Sequence, residues 1–229
     1  MNKGRAVVVE LVGPAGAGKT TLAKGVSKQD ATVRAGLSLW GLPRPQLIES
    51  ALALIPTAIG SLLRGGRARL KWGEMAQMIR LGALRRVVRR EAERHRVILL
   101  DEGPVFALSW LDVFFARNGD RAPARAAGWR RRVVADWASL LDVVVFIDAS
   151  DSTLAQRIRT RDKEHMVKES SDEEIYGFSA GFRKAFDRVI AEISRAGHLV
   201  VDALRTDHDP QDETAARLME RLQHRRNGH

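Results

Sequence analysis

The sequence predicts a three-layer α/β protein, in which a parallel sheet of five strands lies between two layers of helices. Short β-branched apolar runs recur along the chain, and segments with helical spacing of apolar residues lie between them. Strands that alternate with helices form parallel sheets with right-handed crossovers. The clearest runs are continuously apolar, as is typical of strands that are buried on both faces.

Five apolar runs are predicted to be the strands. The first is the clearest, because a β-branched run ends there in a glycine-rich loop, and the second is the shortest. The third and fourth are rich in valine, isoleucine and leucine, and the last is a short run near the carboxyl end. These strands are predicted over residues 6–12, 31–34, 96–101, 142–147 and 198–202.

The helices are predicted from apolar positions at helical spacing. Residues 46–63 and 72–94 form a pair of long helices without a strand between them, separated by Gly65 and Gly66. Pro56 is expected to kink or divide the first of them. A cap at Asp151 or Ser152 is expected to begin a later helix. The remaining helices are predicted over 20–27, 105–115, 126–140, 152–161, 175–195 and 210–223.

Composition limits the classes of protein that the chain can be. Its 229 residues, 45% of them hydrophobic and 29% charged, suit one globular domain over residues 1–229. There are no cysteines, which excludes disulfides, thiolate zinc sites and thiol catalysis. The apolar stretch at 51–63 is too short to span a bilayer. We therefore expect a cytoplasmic protein with no transmembrane segment.

The formal net charge of +10 suits anionic ligands, although an arginine-rich solvated surface explains it equally well. The basic residues are scattered over several segments, with few aromatic residues between them. Because no nucleic-acid motif accompanies them, we expect no specific nucleic-acid partner. The sequence leaves the oligomeric state open, and a homodimer is compatible with it.

A phosphate-binding loop follows the first strand. Residues Gly13-Pro14-Ala15-Gly16-Ala17-Gly18-Lys19-Thr20 match the pattern Gly-x₄-Gly-Lys-[Ser/Thr], and a helix follows directly. The glycines let backbone N–H groups turn toward phosphates, and the helix adds the positive end of its dipole. The lysine reaches the β- and γ-phosphates, and the threonine hydroxyl coordinates Mg²⁺. We therefore predict that this loop and the following Thr21 bind a nucleoside triphosphate, namely ATP with Mg²⁺.

The third strand ends in two carboxylates, Asp101 and Glu102. Because carboxyl ends of parallel strands share one edge of the sheet, Asp101 is expected to hold Mg²⁺ together with Thr20. Glu102 is a candidate base for a substrate hydroxyl or for water. Which of the two carboxylates is the base stays open, and a strand end that simply becomes polar is the alternative.

Two arginines on the helix after the fourth strand are candidate catalytic residues. Arg157 and Arg161 are four residues apart and therefore share one helix face. Arginines there could balance the negative charge that develops on a moving phosphoryl group. A solvated helix face with ion pairs is the alternative. His165, which follows in a charged segment, is expected to be a polar loop residue.

These motifs together resemble the P-loop kinases of nucleosides and nucleoside monophosphates, especially the group of thymidylate and deoxynucleoside kinases. The resemblance rests on the loop, on the strands that end at Asp101 and Asp148, on the Arg157/Arg161 helix and on the strand that ends at Asp202. It implies the P-loop NTPase fold, with the strand order 2-3-1-4-5. It also implies a helical acceptor-side region at about 44–95 and a lid at about 162–174. Adenine would lie between the Arg157 helix and residues 203–205, with Arg205 as a nucleotide-binding residue.

One departure from this family concerns the acceptor. These kinases usually carry an arginine after the third strand, where it contacts substrate phosphate, whereas this chain continues Asp101-Glu102-Gly103-Pro104. A glutamate in that place argues against an ordinary monophosphate acceptor. The predicted function is transfer of the γ-phosphoryl of ATP to a hydroxyl or phosphate group of a small molecule, either nucleoside- or nucleotide-like or a sugar or other metabolite.

Two further functions are compatible with the sequence. Asp101-Glu102 is also what an ATPase or a nucleotide-dependent switch would use, although the Leu-Ser-Gly-Gly and Asn-Lys-x-Asp signatures of transporter ATPases and GTPases are missing. A polyanion-binding protein that uses ATP would explain the positive charge and the basic face at 85–94. Salt-sensitive retention on a polyanion would distinguish this last class.

Overall fold

The computed structural model describes residues 5–30, 32–62, 72–115, 124–162, 164–207 and 211–227. Within these ranges five strands form one parallel sheet, ordered β2-β3-β1-β4-β5. This confirms the predicted sheet and its order. The strands are β1 (Val7–Val12), β2 (Val33–Ser38), β3 (Val97–Glu102), β4 (Val143–Asp148) and β5 (Val200–Arg205).

Eight described helices surround the sheet, and their order along the chain follows the prediction. They are α1 (Lys19–Gln29), α2 (Arg44–Leu62), α3 (Trp72–Glu91), α4 (Pro104–Phe115), α5 (Ala124–Ala138), α6 (Asp151–Thr160), α7 (Asp172–Ala196) and α8 (Gln211–Asn227). Helix α2 continues past Pro56, so this proline does not divide it. The break expected at Gly65 and Gly66 lies outside the described residues.

The sheet separates two apolar clusters, as a three-layer fold requires. On one face, side chains of α3, α4, α5 and α7 pack against alternate strand residues around Trp137 and Phe186. On the other face, α1, α8 and Leu154 of α6 cover the intervening strand residues. The central strands are buried on both faces, and their sequences are apolar except for Glu10 inside β1 and for the acidic residues that end β3 and β4.

The two edge strands begin later than the sequence predicted. β2 occupies Val33–Ser38 instead of 31–34, and β5 occupies Val200–Arg205 instead of 198–202. Both strands alternate buried or half-buried residues with exposed ones, which weakens the apolar run that marks a strand. Among the described helices, none is long and apolar enough to cross a membrane.

Candidate functional site

The phosphate-binding loop is held close to β4 and α6, in backbone conformations that favour glycine. Gly13, Gly16 and Gly18 all have positive φ, at 155°, 83° and 91°. A Cβ atom on Gly13 would lie 1.9 Å from the carbonyl oxygen of Ile147, and one on Gly16 would lie 2.9 Å from that of Leu154. A side chain at either position would therefore displace the loop from its supports.

Lys19 opens helix α1 and folds back over the loop. Its ammonium donates to the carbonyl oxygens of Gly13 at 2.7 Å and Pro14 at 2.9 Å. Burial lowers the pKa of Lys19, whereas the charges of Asp101 and Glu102 raise it and that of Arg161 lowers it again. The charged groups that act on Lys19 are therefore the ones that the sequence assigned to the same site.

Thr20 connects the loop to the end of β3. Its hydroxyl donates to Oδ2 of Asp101 at 2.8 Å, although 81 positions separate the two residues in the chain. The other carboxylate oxygen of Asp101, Oδ1, is buried without a hydrogen-bond partner. An orphaned buried carboxylate oxygen beside a threonine hydroxyl is what a Mg²⁺ site needs, because Mg²⁺ takes oxygen ligands.

The oxygen atoms of Thr20 and Asp101 suit a metal ion that binds together with the phosphates of a nucleotide. Among the described residues no group of three or more His, Asp or Glu side chains could enclose a metal. Mg²⁺ in nucleotide sites typically takes one or two protein ligands and fills its remaining positions with phosphate oxygens and water. Thr20 and Asp101 are the residues that would hold it, and the loop supplies room and backbone donors for the phosphates.

Glu10 is a functional-site residue that the sequence analysis missed. It lies fully buried in β1, where its carboxylate accepts hydrogen bonds from the backbone N–H groups of Gly103 at 3.0 Å, Val105 at 3.0 Å and Phe106 at 2.9 Å. Burial raises the pKa of Glu10 to about 7, against the effect of these three hydrogen bonds. The carboxylate thus fixes the turn from Glu102 into α4. A charged residue inside an apolar strand was the signal for it.

Arg157 joins α6 to both the loop and the segment after β5. Its guanidinium donates to the carbonyl oxygen of Gly16 at 3.3 Å and to both the hydroxyl and the carbonyl oxygen of Thr206, at 3.0 and 2.6 Å. The Thr206 hydroxyl in turn donates to the carbonyl oxygen of Ala17 at 3.1 Å. Arg157 and Thr206 therefore connect the loop with the segment after β5, which begins beyond residues 203–205. An adenine site between them stays a prediction.

Arg161 follows the last residue of α6 in an extended conformation, so the prediction that it shares a helix face with Arg157 is wrong. Its charge nevertheless lowers the pKa of both Lys19 and His165. His165 is half-buried, its ring contacts Phe178 edge-on at 5.5 Å between centroids, and burial is the first cause of its lowered pKa. The backbone oxygen of Arg161 accepts from Lys168 at 2.9 Å. The start of the predicted lid is therefore folded against the phosphate site.

The connection between α6 and α7 is shorter than the segment predicted to be a lid, because α7 begins at Asp172 and not at residue 175. Ser171 and Glu174 form a reciprocal capping box at this helix start. Arg159 adds an ion pair to Asp172. The predicted start of this helix rests on its apolar periodicity, which begins only at Ile175. The Ser-x-x-Glu pattern of Ser171 and Glu174 marks the actual start.

Arg205, a predicted nucleotide-binding residue, forms no ion pair or hydrogen bond with the phosphate-binding loop in the described part of the chain. Its guanidinium pairs with Asp207 at 2.8 Å and is largely exposed. The other oxygen of Asp207 accepts from the backbone N–H of Ser150 at 2.6 Å, and this hydrogen bond is the first cause of its lowered pKa. Ser150, and not Asp151 or Ser152, is the cap of α6.

Arg183 of α7 supports the turn between β4 and α6, and no sequence signal identified it. It donates to both carboxylate oxygens of Asp148, at 2.9 and 3.0 Å, and to Asp151 at 2.7 Å. Because Gly13 of the loop lies against the end of β4, this network fixes one wall of the phosphate site.

No protein-family model matches the sequence, and no curated protein matches it. Among solved structures, the thymidylate kinase of Candida albicans is similar with a TM-score of 0.59 at 11% identity, over 98% of this chain and 94% of that one. The deoxyadenosine kinase of M. mycoides has a TM-score of 0.53 at 16% identity, over 95% of this chain and 99% of that one. The chain has the fold of P-loop nucleoside and nucleotide kinases.

The resemblance that the sequence implied is thereby confirmed for this kinase fold and its strand order. The structure also brings the predicted Lys19, Thr20, Asp101, Glu102 and Arg161 to one edge of the sheet. At these identities the likeness concerns the fold alone, and the roles of these residues stay predictions.

Proposed function

We propose that the protein is an ATP-dependent phosphotransferase that moves the γ-phosphoryl group of ATP to a hydroxyl group of a small molecule. One observation carries this proposal. Thr20 of the phosphate-binding loop is hydrogen-bonded to Asp101, whose second oxygen is buried and unpartnered, and the charges of Glu102 and Arg161 act on the adjacent Lys19. These residues would form the part of the site that binds the triphosphate, with the carboxylates of Asp101 and Glu102 beside it.

Each residue has a part in the transfer. The loop from Gly13 to Thr21 binds the triphosphate, and Lys19 balances charge on the β- and γ-phosphates. Thr20 and Asp101 would hold Mg²⁺. The bound ion would neutralise the charge that develops on the phosphates during transfer. Arg161, whose charge acts on Lys19, would stabilise the transferred group, since a pre-organised arginine charge costs little reorganisation during the reaction.

In the chemical step, the acceptor oxygen forms a bond to the γ-phosphorus while the bond from that phosphorus to the β–γ bridging oxygen breaks. The electron pair of the broken bond leaves with ADP. The proton of the acceptor hydroxyl passes to a carboxylate, either Asp101 or Glu102. Arg157 supports this indirectly, because it binds the backbone of the loop at Gly16.

The residues at the end of β3 favour an acceptor that offers a hydroxyl group and places no phosphate next to them. Glu102 occupies the place where kinases of this fold usually have an arginine, and Glu10 adds a second carboxyl group behind it. A Cβ atom on Gly103 would lie 2.7 Å from Cδ of Glu10, so no larger side chain fits there. Nucleosides, sugars, glycan precursors and antibiotics meet this requirement.

The deciding experiment is a transfer assay. Purified protein with Mg²⁺ and ATP is incubated with a panel of hydroxyl compounds, and phosphorylated products and ADP are measured by mass spectrometry. We expect ADP to form only with a suitable acceptor. Lys19→Ala should lower the rate by about 10²–10³-fold, as loss of one pre-organised charge contact does. Lys24→Ala, on an exposed position of the same helix, is the matched control.

Hydrolysis of ATP is the second candidate function, and the adjacent pair Asp101-Glu102 favours it. In an ATPase, Glu102 would orient water instead of accepting a proton from a bound hydroxyl. Rapid ADP formation without any acceptor, together with ATP trapped unhydrolysed by Glu102→Gln, would select hydrolysis and reject the transfer proposal.

A further inference from the structure

A cavity of about 780 Å³ lies between α2, α3 and α5. This volume lies within the range of small-molecule sites. None of its lining residues belongs to the phosphate-binding loop, to the end of β3 or to the α6–α7 connection. The cavity therefore shares no residue with the phosphate site, although α2 and α3 belong to the acceptor-side region predicted at about 44–95. An inference about it is tested by ligand binding alone and does not need the proposed transfer reaction to occur.

The charge of the cavity is strongly positive. Four arginines line it, three of them on α3 and one on α5, and Asp136 is the single carboxylate among the lining residues. Asp136 pairs with Arg85 at 2.9 Å, and Arg86 pairs with Glu49 of α2 at 3.5 Å. Within the described part of the chain, the other two arginines, Arg89 and Arg132, form no ion pair. Both side chains are exposed to solvent, so two guanidinium groups without an ion-pair partner among the described residues are accessible to an anionic ligand.

Burial and the neighbouring arginines disfavour the charged form of Arg85. Its Nε atom is buried and has no acceptor among the described residues. Burial lowers the pKa of Arg85, and the neighbouring charges of Arg89 and Arg86 act in the same direction while Asp136 opposes them. An anion in the cavity would offset the repulsion among these arginines.

The remaining wall is apolar and partly aromatic. Trp129 of α5 is half-buried there, and Trp137 is almost fully buried about two turns further along the helix. Leu54, Met78, Leu81 and Val133 complete this wall. A ligand that fits both parts must combine a strongly anionic group with an apolar or ring-bearing body.

We propose that this cavity binds a small organic phosphate, with its phosphoryl group on the arginines and its organic part on the Trp129 wall. Guanidinium groups match phosphate oxygens with paired donors, which favours a phosphate over a single carboxylate. The limited volume favours a small ligand over a nucleic acid, which would spread over exposed arginines of the surface.

Phenyl phosphate is the probe for this site, titrated by calorimetry and by tryptophan fluorescence. The Lys19→Ala variant is used throughout, so that binding at the phosphate loop does not contribute. We expect saturable binding at one site, with phenyl phosphate at least about tenfold tighter than inorganic phosphate because the ring gains apolar contact. Phenol, which lacks the charge, should not bind. The fluorescence change should disappear in Trp129→Phe.

The paired variant Arg89→Gln/Arg132→Gln tests the arginines and leaves the ion pairs of Arg85 and Arg86 in place. Binding of phenyl phosphate should weaken at least about tenfold, since charge-assisted hydrogen bonds are lost. Arg94→Gln/Arg131→Gln, on exposed positions outside the cavity, removes the same total charge and should change affinity less than about twofold.

Equal loss in both pairs, or no saturable binding of phenyl phosphate, would overturn the proposal. Tighter binding of a DNA oligonucleotide, lost equally in both pairs, would indicate a nucleic-acid surface instead.

Discussion

The hydrogen bond from Thr20 to Asp101 is the contact on which the candidate active site depends at the scale of single residues. It places a hydroxyl and an orphaned carboxylate oxygen together at the carboxyl ends of β1 and β3. Both groups could be predicted from the sequence, because the loop pattern and the strand that ends in Asp101 fix their positions in the fold.

We predict that Thr20→Val removes the dependence of ATP binding on Mg²⁺. Valine keeps the size of the side chain but lacks the hydroxyl that coordinates the ion. In the unmodified protein, adding EDTA should weaken ATP binding by about tenfold or more, whereas the variant should bind ATP weakly with or without Mg²⁺. Calorimetric titration in both buffers measures this, and Thr20→Ser should behave as the unmodified protein. A Thr20→Val variant that still responds to Mg²⁺ would contradict the assignment.

Glu10 could not be assigned a role from the sequence, because its partners are backbone N–H groups that only the tertiary structure brings to it. The raised pKa of this carboxyl has a consequence for stability. The folded protein holds the proton of Glu10 up to about pH 7, whereas the unfolded chain releases it near 4.5. Stability from this group is therefore fully present below pH 4.5 and is lost as the pH rises to about 7.

The expected loss of unfolding free energy from Glu10 is about 3 kcal/mol between pH 4.5 and 7, since one pKa unit corresponds to about 1.4 kcal/mol. Urea unfolding at a series of pH values measures it. In Glu10→Gln this component should be absent, and the difference between the two proteins should vary with pH over that interval and become constant above it. A difference that does not vary with pH would show that Glu10 is ionised throughout.

At the scale of elements, the central strands could be predicted well and the edges less well. β1, β3 and β4 are buried on both faces, so composition alone marks them. β2 and β5 lie at the edges of the sheet, and their exposed positions shorten the apolar signal. The sequence did not indicate Thr206, which binds Arg157, or Asp207, which binds the start of α6. Both residues follow β5, whose apolar pattern is weak.

The start of α7 is the element boundary that matters most for the lid. We predict that Ser171→Ala lowers the unfolding free energy by about 1 kcal/mol, because the side chain accepts from the backbone N–H of Glu174 and alanine cannot. Thermal unfolding measures this loss. Ser170→Ala, one residue earlier, is the matched control and should change stability by less than about 0.5 kcal/mol. Equal effects from both substitutions would contradict the capping box.

At the scale of the whole molecule, the two apolar clusters share four strands, β1 to β4, and this sharing predicts one cooperative unit over residues 1–229. All five tryptophans lie outside the cluster formed by α1 and α8, and Trp137 is buried in the opposite cluster. Tryptophan fluorescence therefore reports on one face of the sheet, while far-ultraviolet circular dichroism reports on all helices.

We predict that Leu218→Ala, on α8, shifts the unfolding transition seen by tryptophan fluorescence although it lies on the other face. Leu218 is fully buried, so its truncation should cost about 2–5 kcal/mol. In a single cooperative unit the midpoint of urea unfolding falls equally by fluorescence and by circular dichroism. Glu220→Ala, at an exposed position of the same helix, should leave both midpoints unchanged. If circular dichroism moved alone, the two faces would unfold separately, and the prediction of one domain would be wrong.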